Sequence, residues 1–193
     1  MIIEENFRLR LLEKQDLFWL KKLRENPVIN EYLGTFCLLN DFRQENWFNN
    51  LQNDEKRCYM VFEKQNLTNY SDNNSNTEEN MIDKLGIVRI SNIDLINRSM
   101  CVGGDIDPRF QGNKYAKIMY KLIFKYGFKC MNMHRLYLYV LEDNIKARNC
   151  YEKVGFITEG MQREAIFNNG KYKNYLIMSI LKSEYQEKYE KVN

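Results

Sequence analysis

Twice between Met100 and Val154 the chain passes from a strand-period stretch, through a polar turn, into a helix-period stretch. The alternating residues Met100 to Ile106 lead through Asp107-Pro108-Arg109-Phe110-Gln111-Gly112 into a helix predicted from Asn113 to Cys130. Its apolar stripe is Tyr115, Ile118, Met119, Leu122, Ile123 and Tyr126. Leu136 to Leu141 lead through Asn144 into a shorter predicted helix, Ile145 to Val154, which Gly155 stops. Neighbouring strand-turn-helix units, with runs of strands beside them, argue a mixed α/β sheet.

The remaining chain fits around that pair. Phe7, Leu9 and Leu11 alternate with Arg8 and Arg10, a strand with one polar face. The period then lengthens, and Leu12 to Arg24 reads as an amphipathic helix ending near Asn26-Pro27. Asn40 or Asp41 can cap a second helix through Leu51. Cys58 to Phe62 and Leu85 to Ile90 are predicted strands, and Asn97-Arg98 offers a turn before the strand at Met100. Asn169-Gly170 marks a hairpin between Glu164 to Phe167 and Tyr172 to Leu181, with another extended stretch at Phe156 to Gly160. Residues 65–83 are rich in Asn, Ser and Glu and poor in apolar surface, so they read as a flexible loop inside one domain spanning residues 1–193.

Composition closes off several classes of function. The net charge is +3, with Lys and Arg interspersed among Asp and Glu, so nothing marks a nucleic-acid partner. No apolar run reaches the roughly 20 residues of a membrane span, and the segment Met1 to Arg10 is not of signal-peptide type. The five cysteines, Cys37, Cys58, Cys101, Cys130 and Cys150, form no Cys-x-x-Cys pair, and His134 is the single histidine. A structural metal site is therefore not expected, and free thiols suit a reducing, cytoplasmic setting.

The turns carry the chemistry. The first, Gln111 to Ala116, opens a helix, where backbone N–H groups and partial positive charge suit a phosphate. It lacks the Gly-Lys-Ser/Thr ending of a Walker loop and is not Gly-x-Gly-x-x-Gly. The second runs Asn144-Ile145-Lys146-Ala147-Arg148-Asn149-Cys150-Tyr151-Glu152-Lys153-Val154-Gly155-Phe156. Together the two segments resemble the GCN5-related N-acetyltransferases (GNAT). The second fits that family's Asn-x-x-Ala-x-x-x-Tyr-x-Lys-x-Gly-Phe pattern throughout. The first fits Gln/Arg-x-x-Gly-x-Gly/Ala at Gln111 and Ala116 and departs from it at Lys114, where glycine is usual. Glu159-Gly160, Asn169-Gly170 and Tyr172 look like the branch of ribosomal-protein, spermidine and amino-sugar acetyltransferases. The resemblance covers most of the chain, from Phe7 to Leu181, apart from residues 65–83.

The resemblance implies a single-domain GNAT-like fold, with a mostly antiparallel mixed sheet and about four helices. It implies direct transfer of an acetyl group from acetyl-CoA, as co-substrate and without metal, to a primary amine. Gln111, Gly112, Asn113, Lys114, Tyr115 and Ala116 would meet the pyrophosphate, and Ile106 and Asn144 the pantetheine arm. The strand at Met100 to Ile106 would splay from its neighbour, with Gly103 and Gly104 permitting a bulge or close approach. Lys114 could itself pair with the pyrophosphate, and Lys117, Lys121 and Lys153 with a further phosphate. Tyr151 would be the general acid that protonates the departing sulfur. The family's usual basic Glu is replaced by Cys101, leaving Asp105 as the candidate base and His134 behind it.

The acceptor is read from the N-terminal half. Leu23-Arg24-Glu25-Asn26 to Tyr32, then Trp47-Phe48 and Tyr59, look most like acetyltransferases of nucleotide-linked 4-amino-4,6-dideoxy sugars. Arg24, Trp47 and Arg89, with Arg43, would suit such an anionic sugar nucleotide. A polyamine needs matching carboxylates, for which Glu31 and Asp41 are at hand. Spermidine and protein N-terminal amines are the alternatives within this chemistry. A non-catalytic acetyl-CoA sensor is the alternative outside it. Strand edges and the family's habits suggest a homodimer.

Overall fold

A computed structural model describes residues 1–33, 40–66, 81–168 and 170–190. Its frame is one eight-stranded sheet, in the order β1-β2-β3-β4-β5-β6-β8-β7. The strands are β1 (Ile2–Glu4), β2 (Phe7–Leu11), β3 (Cys58–Asn66), β4 (Met81–Asp94), β5 (Ser99–Ile106), β6 (Arg135–Leu141), β7 (Ile157–Asn168) and β8 (Lys171–Leu181). Every pairing is antiparallel except β5 with β6. The described residues hold six α-helices: α1 (Leu17–Glu25), α2 (Pro27–Asn30), α3 (Asp41–Gln52), α4 (Tyr115–Phe124), α5 (Ile145–Val154) and α6 (Lys182–Tyr189).

The two helices beyond the expected four are α2 and α6. Asn26 does end α1, but its side-chain oxygen also accepts from Val28 N at 3.0 Å, and Pro27 opens α2 in the first helical position. An Asn-Pro pair can therefore stop one helix and start the next. Asn40 caps α3 by accepting from Arg43 N at 2.8 Å. The helix expected at Asn113 to Cys130 is shorter, because α4 passes into a π-helical turn over Lys125–Cys130. The stretches at 156–160 and 164–167 are one irregular strand, β7. Gln65 and Asn66, expected in a loop at 65–83, are instead strand residues that pair with Ile82 and Met81. Residues 67–80, Cys37 and Asn169 lie outside the described residues.

Strand alternation divides the core in two. Met60, Phe62, Val88 and Ile90 pack with α4, the π-helical turn and α6, where Tyr120, Phe124, Phe128 and Tyr185 are buried. Val61 and Ile87, one position out of phase, pack with Leu20 and Leu23 of α1 and Phe48 and Leu51 of α3. The sheet is thus covered on both faces. Arg89 and Asp105 share the phase of Ile87 and face the α1 and α3 side.

Candidate active site

The parallel pairing of β5 and β6 is brief. Ser99, Met100 and Cys101 pair with Arg135, Leu136 and Tyr137; beyond them the strands separate, while β6 continues on β8 to Leu141. The second half of β5, from Val102 to Ile106, therefore turns an unpaired edge toward the gap. This is the splay the resemblance implies. No bulge accompanies it, since β5 stays in register with β4 from Cys101 to Ile106. Close approach is the reason for glycine at Gly104, where a Cβ would stand 2.5 Å from Met119 Cε and 3.2 Å from Ile87 O.

Two cavities open from the gap. The first, about 350 Å³, lies between the end of β5 and the N-terminal turns of α4 and α5. Its wall includes Ile106, Gln111, Gly112, Lys114, Tyr115 and Ala116, as well as Asn144 and Tyr151. The second, about 480 Å³, lies toward α1 and includes Arg24, Tyr59, Arg89, Tyr139 and Tyr175. Tyr32, Asp105, Asn144 and Tyr151 belong to both walls, so the cavities meet there.

The first cavity has the features of an anion and amide site. Gly112 has φ 87° and Lys114 φ 61°, and this left-handed turn leads into α4. The N–H groups of a helix's first turn lack intrahelical acceptors, and the helix dipole adds positive charge. Gln111 is braced at both ends: its amide donates to Ile106 O at 3.1 Å and accepts from Lys146 Nζ at 2.7 Å. Asn144 Oδ1 accepts from Ala147 N at 3.1 Å, capping α5.

Not every residue expected there is present. Asn113 is exposed, and its amide turns back to Phe110 O at 3.4 Å. Lys153 is exposed on the last turn of α5, and neither it, Lys117 nor Lys121 joins the cavity wall. Lys146 stands in their place. It falls on the third position of the Asn144 segment, at the helix start, and no spacing along the chain relates it to Gln111.

At the junction, Tyr151 lies edge-on to Tyr120, with ring centroids 5.4 Å apart. Burial pushes its phenol up to about 12; Arg89 and Tyr120 oppose the shift and Asp105 adds to it. Asp105 is ion-paired with the largely buried Arg89 from the adjacent strand. Burial works against the Arg89 charge, and Asp105 more than restores it, so the guanidinium stays protonated.

The other candidates separate. Burial raises the Cys101 thiol, so it is not a ready proton acceptor, and it lines neither cavity. Cys150 reaches the first cavity, but burial raises its thiol too. His134 is exposed before β6, at the end of that strand away from Asn144. Seven strand residues put it roughly 20 Å from the junction, too far for a base.

In the second cavity Arg24 stacks over Trp47 at 5.2 Å and Tyr59 at 5.8 Å. No acidic partner reaches it among the described residues, and its Nε is buried without a hydrogen bond. Trp47 lines neither cavity; it stands behind, edge-on to Tyr59 at 5.1 Å. Besides Tyr151, four tyrosines, Tyr32, Tyr59, Tyr139 and Tyr175, form much of this wall. The sequence reading places Tyr32 and Tyr59 on the acceptor side but misses Tyr139 and Tyr175, which come from β6 and β8.

Comparison with known proteins agrees with this geometry. Residues 6–157 match the acetyltransferase (GNAT) domain family. A spermidine N(1)-acetyltransferase of Vibrio cholerae serotype O1 is 30% identical over 182 residues, which cover 94% of this chain and 96% of that protein. A crystal structure of spermidine N-acetyltransferase from Vibrio cholerae, in complex with CoA and spermine, superposes with a TM-score of 0.81 at 28% identity, over 94% of this chain and 99% of that one. A dodecameric structure of the Vibrio cholerae enzyme superposes at 0.77 with 26% identity, over 96% and 99%.

Proposed function

From the premise that this chain belongs to the GNAT acetyltransferase family and is an acetyl-CoA-dependent N-acetyltransferase, we propose that its acceptor is a polyamine of the spermidine class. Two observations support the choice. The similarity to spermidine acetyltransferases runs nearly the full length of both chains. The acceptor-side cavity is walled by tyrosines, whose faces attract ammonium groups, and Asp105 adds a carboxylate.

The roles follow from position. The left-handed turn at Gly112 to Lys114 and the start of α4 receive the pyrophosphate, with Lys114 and Lys146 supplying charge. The unpaired edge of β5 from Val102 to Ile106 offers backbone groups to the pantetheine amides, and Asn144 a side-chain amide. Both acetyl-CoA and amine then reach the junction at Tyr151 and Asp105. Asp105 draws the ammonium and takes its proton, directly or through water, while its pair with Arg89 fixes its orientation. The amine attacks the thioester carbonyl, and the C–S bond breaks. Tyr151, kept protonated by burial at neutral pH, donates its proton to the sulfur. Use of acetyl-CoA, an intracellular co-substrate, supports a cytoplasmic setting. The dodecameric neighbour supports self-association of this chain as well.

One observation favours a second acceptor. Arg24 faces the acceptor cavity without an acidic partner among the described residues, and a cation placed there repels a polycation and suits a phosphate. That supports the nucleotide-linked amino sugar. CoA thiol release with spermidine and with a UDP-4-amino-4,6-dideoxy sugar, side by side, decides between them. Release with spermidine alone is expected; release with the sugar alone overturns the polyamine. In the same assay Tyr151→Phe should lower kcat about 100-fold or more while leaving the KM for acetyl-CoA nearly unchanged.

A further inference from the structure

The wall beside Tyr151 contains a group that none of these roles uses. Tyr120, in the middle of α4, is 1% exposed, and its ring is edge-on to both Tyr151 and Phe156. Its hydroxyl is buried and makes no hydrogen bond of normal geometry, while it faces the Tyr151 hydroxyl from the donor side. Phenylalanine would pack the same space without burying a poorly paired hydroxyl, a burial that destabilises the fold. The surrounding cluster does use phenylalanine, at Phe124, Phe128 and Phe156. A hydroxyl kept at that cost is accounted for if its contact with Tyr151 tightens during the reaction.

We propose that Tyr120 is a positioning residue for acetyl transfer, its hydroxyl donating a hydrogen bond to Tyr151 Oη as Tyr151 gives its proton to the departing sulfur. The inference rests on Tyr151 being the general acid. The amine lone pair forms the C–N bond, and the electrons of the C–S bond go to sulfur. The Tyr151 proton follows them, leaving a phenolate that accepts the Tyr120 O–H. The proton shed by the amine nitrogen then restores Tyr151.

The surroundings give that phenolate few other friends. Asp105 from β5 and Cys150 from α5 disfavour its charge, and Arg89 from β4 favours it. Arg89, however, is already engaged by Asp105. Tyr120 meets Tyr151, Cys150 and Arg89, and burial keeps its own phenol protonated and able to donate.

The test is a double-mutant cycle on the full chain: wild type, Tyr120→Phe, Tyr151→Phe and both together, assayed with acetyl-CoA and whichever acceptor is turned over. Tyr120→Phe is expected to lower kcat about tenfold, the worth of one hydrogen bond, with the KM for acetyl-CoA within about twofold and thermal stability unchanged or higher. The double variant should be no slower than Tyr151→Phe alone. Wild-type kcat in Tyr120→Phe, or losses that multiply in the double variant, would overturn the inference while leaving Tyr151 its role. Wild-type kcat in Tyr151→Phe would overturn the general-acid reading itself.

Discussion

Lys114 holds a backbone conformation, φ 61° and ψ 9°, that side chains other than glycine rarely take. It occupies the position where the family pattern has glycine, so the chain accepts strain there. The lysine adds an ammonium to the cavity wall that a glycine would lack. Lys114→Gly relieves roughly 1 kcal/mol of strain net of the greater freedom glycine has when unfolded. It should raise Tm by about 3 °C and raise the KM for acetyl-CoA severalfold, measured by calorimetry and steady-state kinetics. A higher Tm with unchanged KM would mean that the ammonium does not meet the pyrophosphate. Cys101 is the opposite case. The position where the family usually has Glu holds a half-buried thiol away from both cavities, and the proposed function gives the carboxylate's part to Asp105 on the same strand.

Between elements, a buried charge network sets where α1 begins and hence where Arg24 points. Glu63 of β3 and Asp16, in the turn before α1, are 1% and 0% exposed. Arg10 of β2 donates to both, reaching Asp16 Oδ2 at 2.6 Å and Glu63 Oε1 at 2.9 Å. Lys84 of β4 stands 2.6 Å from Asp16 Oδ1, and Arg8 2.7 Å from Glu63 Oε2. Burial would raise the Asp16 carboxyl, but hydrogen bonds from Arg10, Lys84 and the backbone of Glu13 outweigh it and hold it at about 2. A carboxyl depressed in the folded state stabilises the protein above its unfolded pKa, near 3.8, and that contribution fades as pH falls through the folded value. Asp16→Asn should therefore cost about 2 kcal/mol at pH 7, measured by urea unfolding. The difference from wild type should shrink between about pH 4 and pH 2. An equal cost at all pH values would assign the loss to packing.

At the scale of the molecule, two cavities share four residues, and the proposed function brings one substrate in through each. Changes outside the shared set should then act on one substrate each. Lys146→Ala frees Gln111 from its brace and should raise the KM for acetyl-CoA about three- to tenfold, with the acceptor KM unchanged. Tyr139→Ala removes a ring that lines the acceptor cavity alone and is 41% exposed, so folding tolerates it. It should raise the acceptor KM by a similar factor and leave that for acetyl-CoA as it was. A change in both constants from either variant would count against two separate entrances.

The sequence by itself determined most of the elements and the two strand-turn-helix units that line the first cavity. Each strand-turn-helix unit is contiguous, so the hydrophobic period, the caps and the positions of Gln111, Asn144 and Tyr151 can be read along the chain. Only the tertiary structure decided the acceptor side. Arg24, Tyr59, Arg89, Asp105 and Tyr139 come from α1, β3, β4, β5 and β6, and no spacing relates residues that strand pairing brings together. The same holds for the pair of Asp105 with Arg89, for Lys146 against Gln111, and for the hydroxyl of Tyr120 beside Tyr151. Periodicity gives the face on which a residue lies; its partner there depends on the register and packing of distant segments.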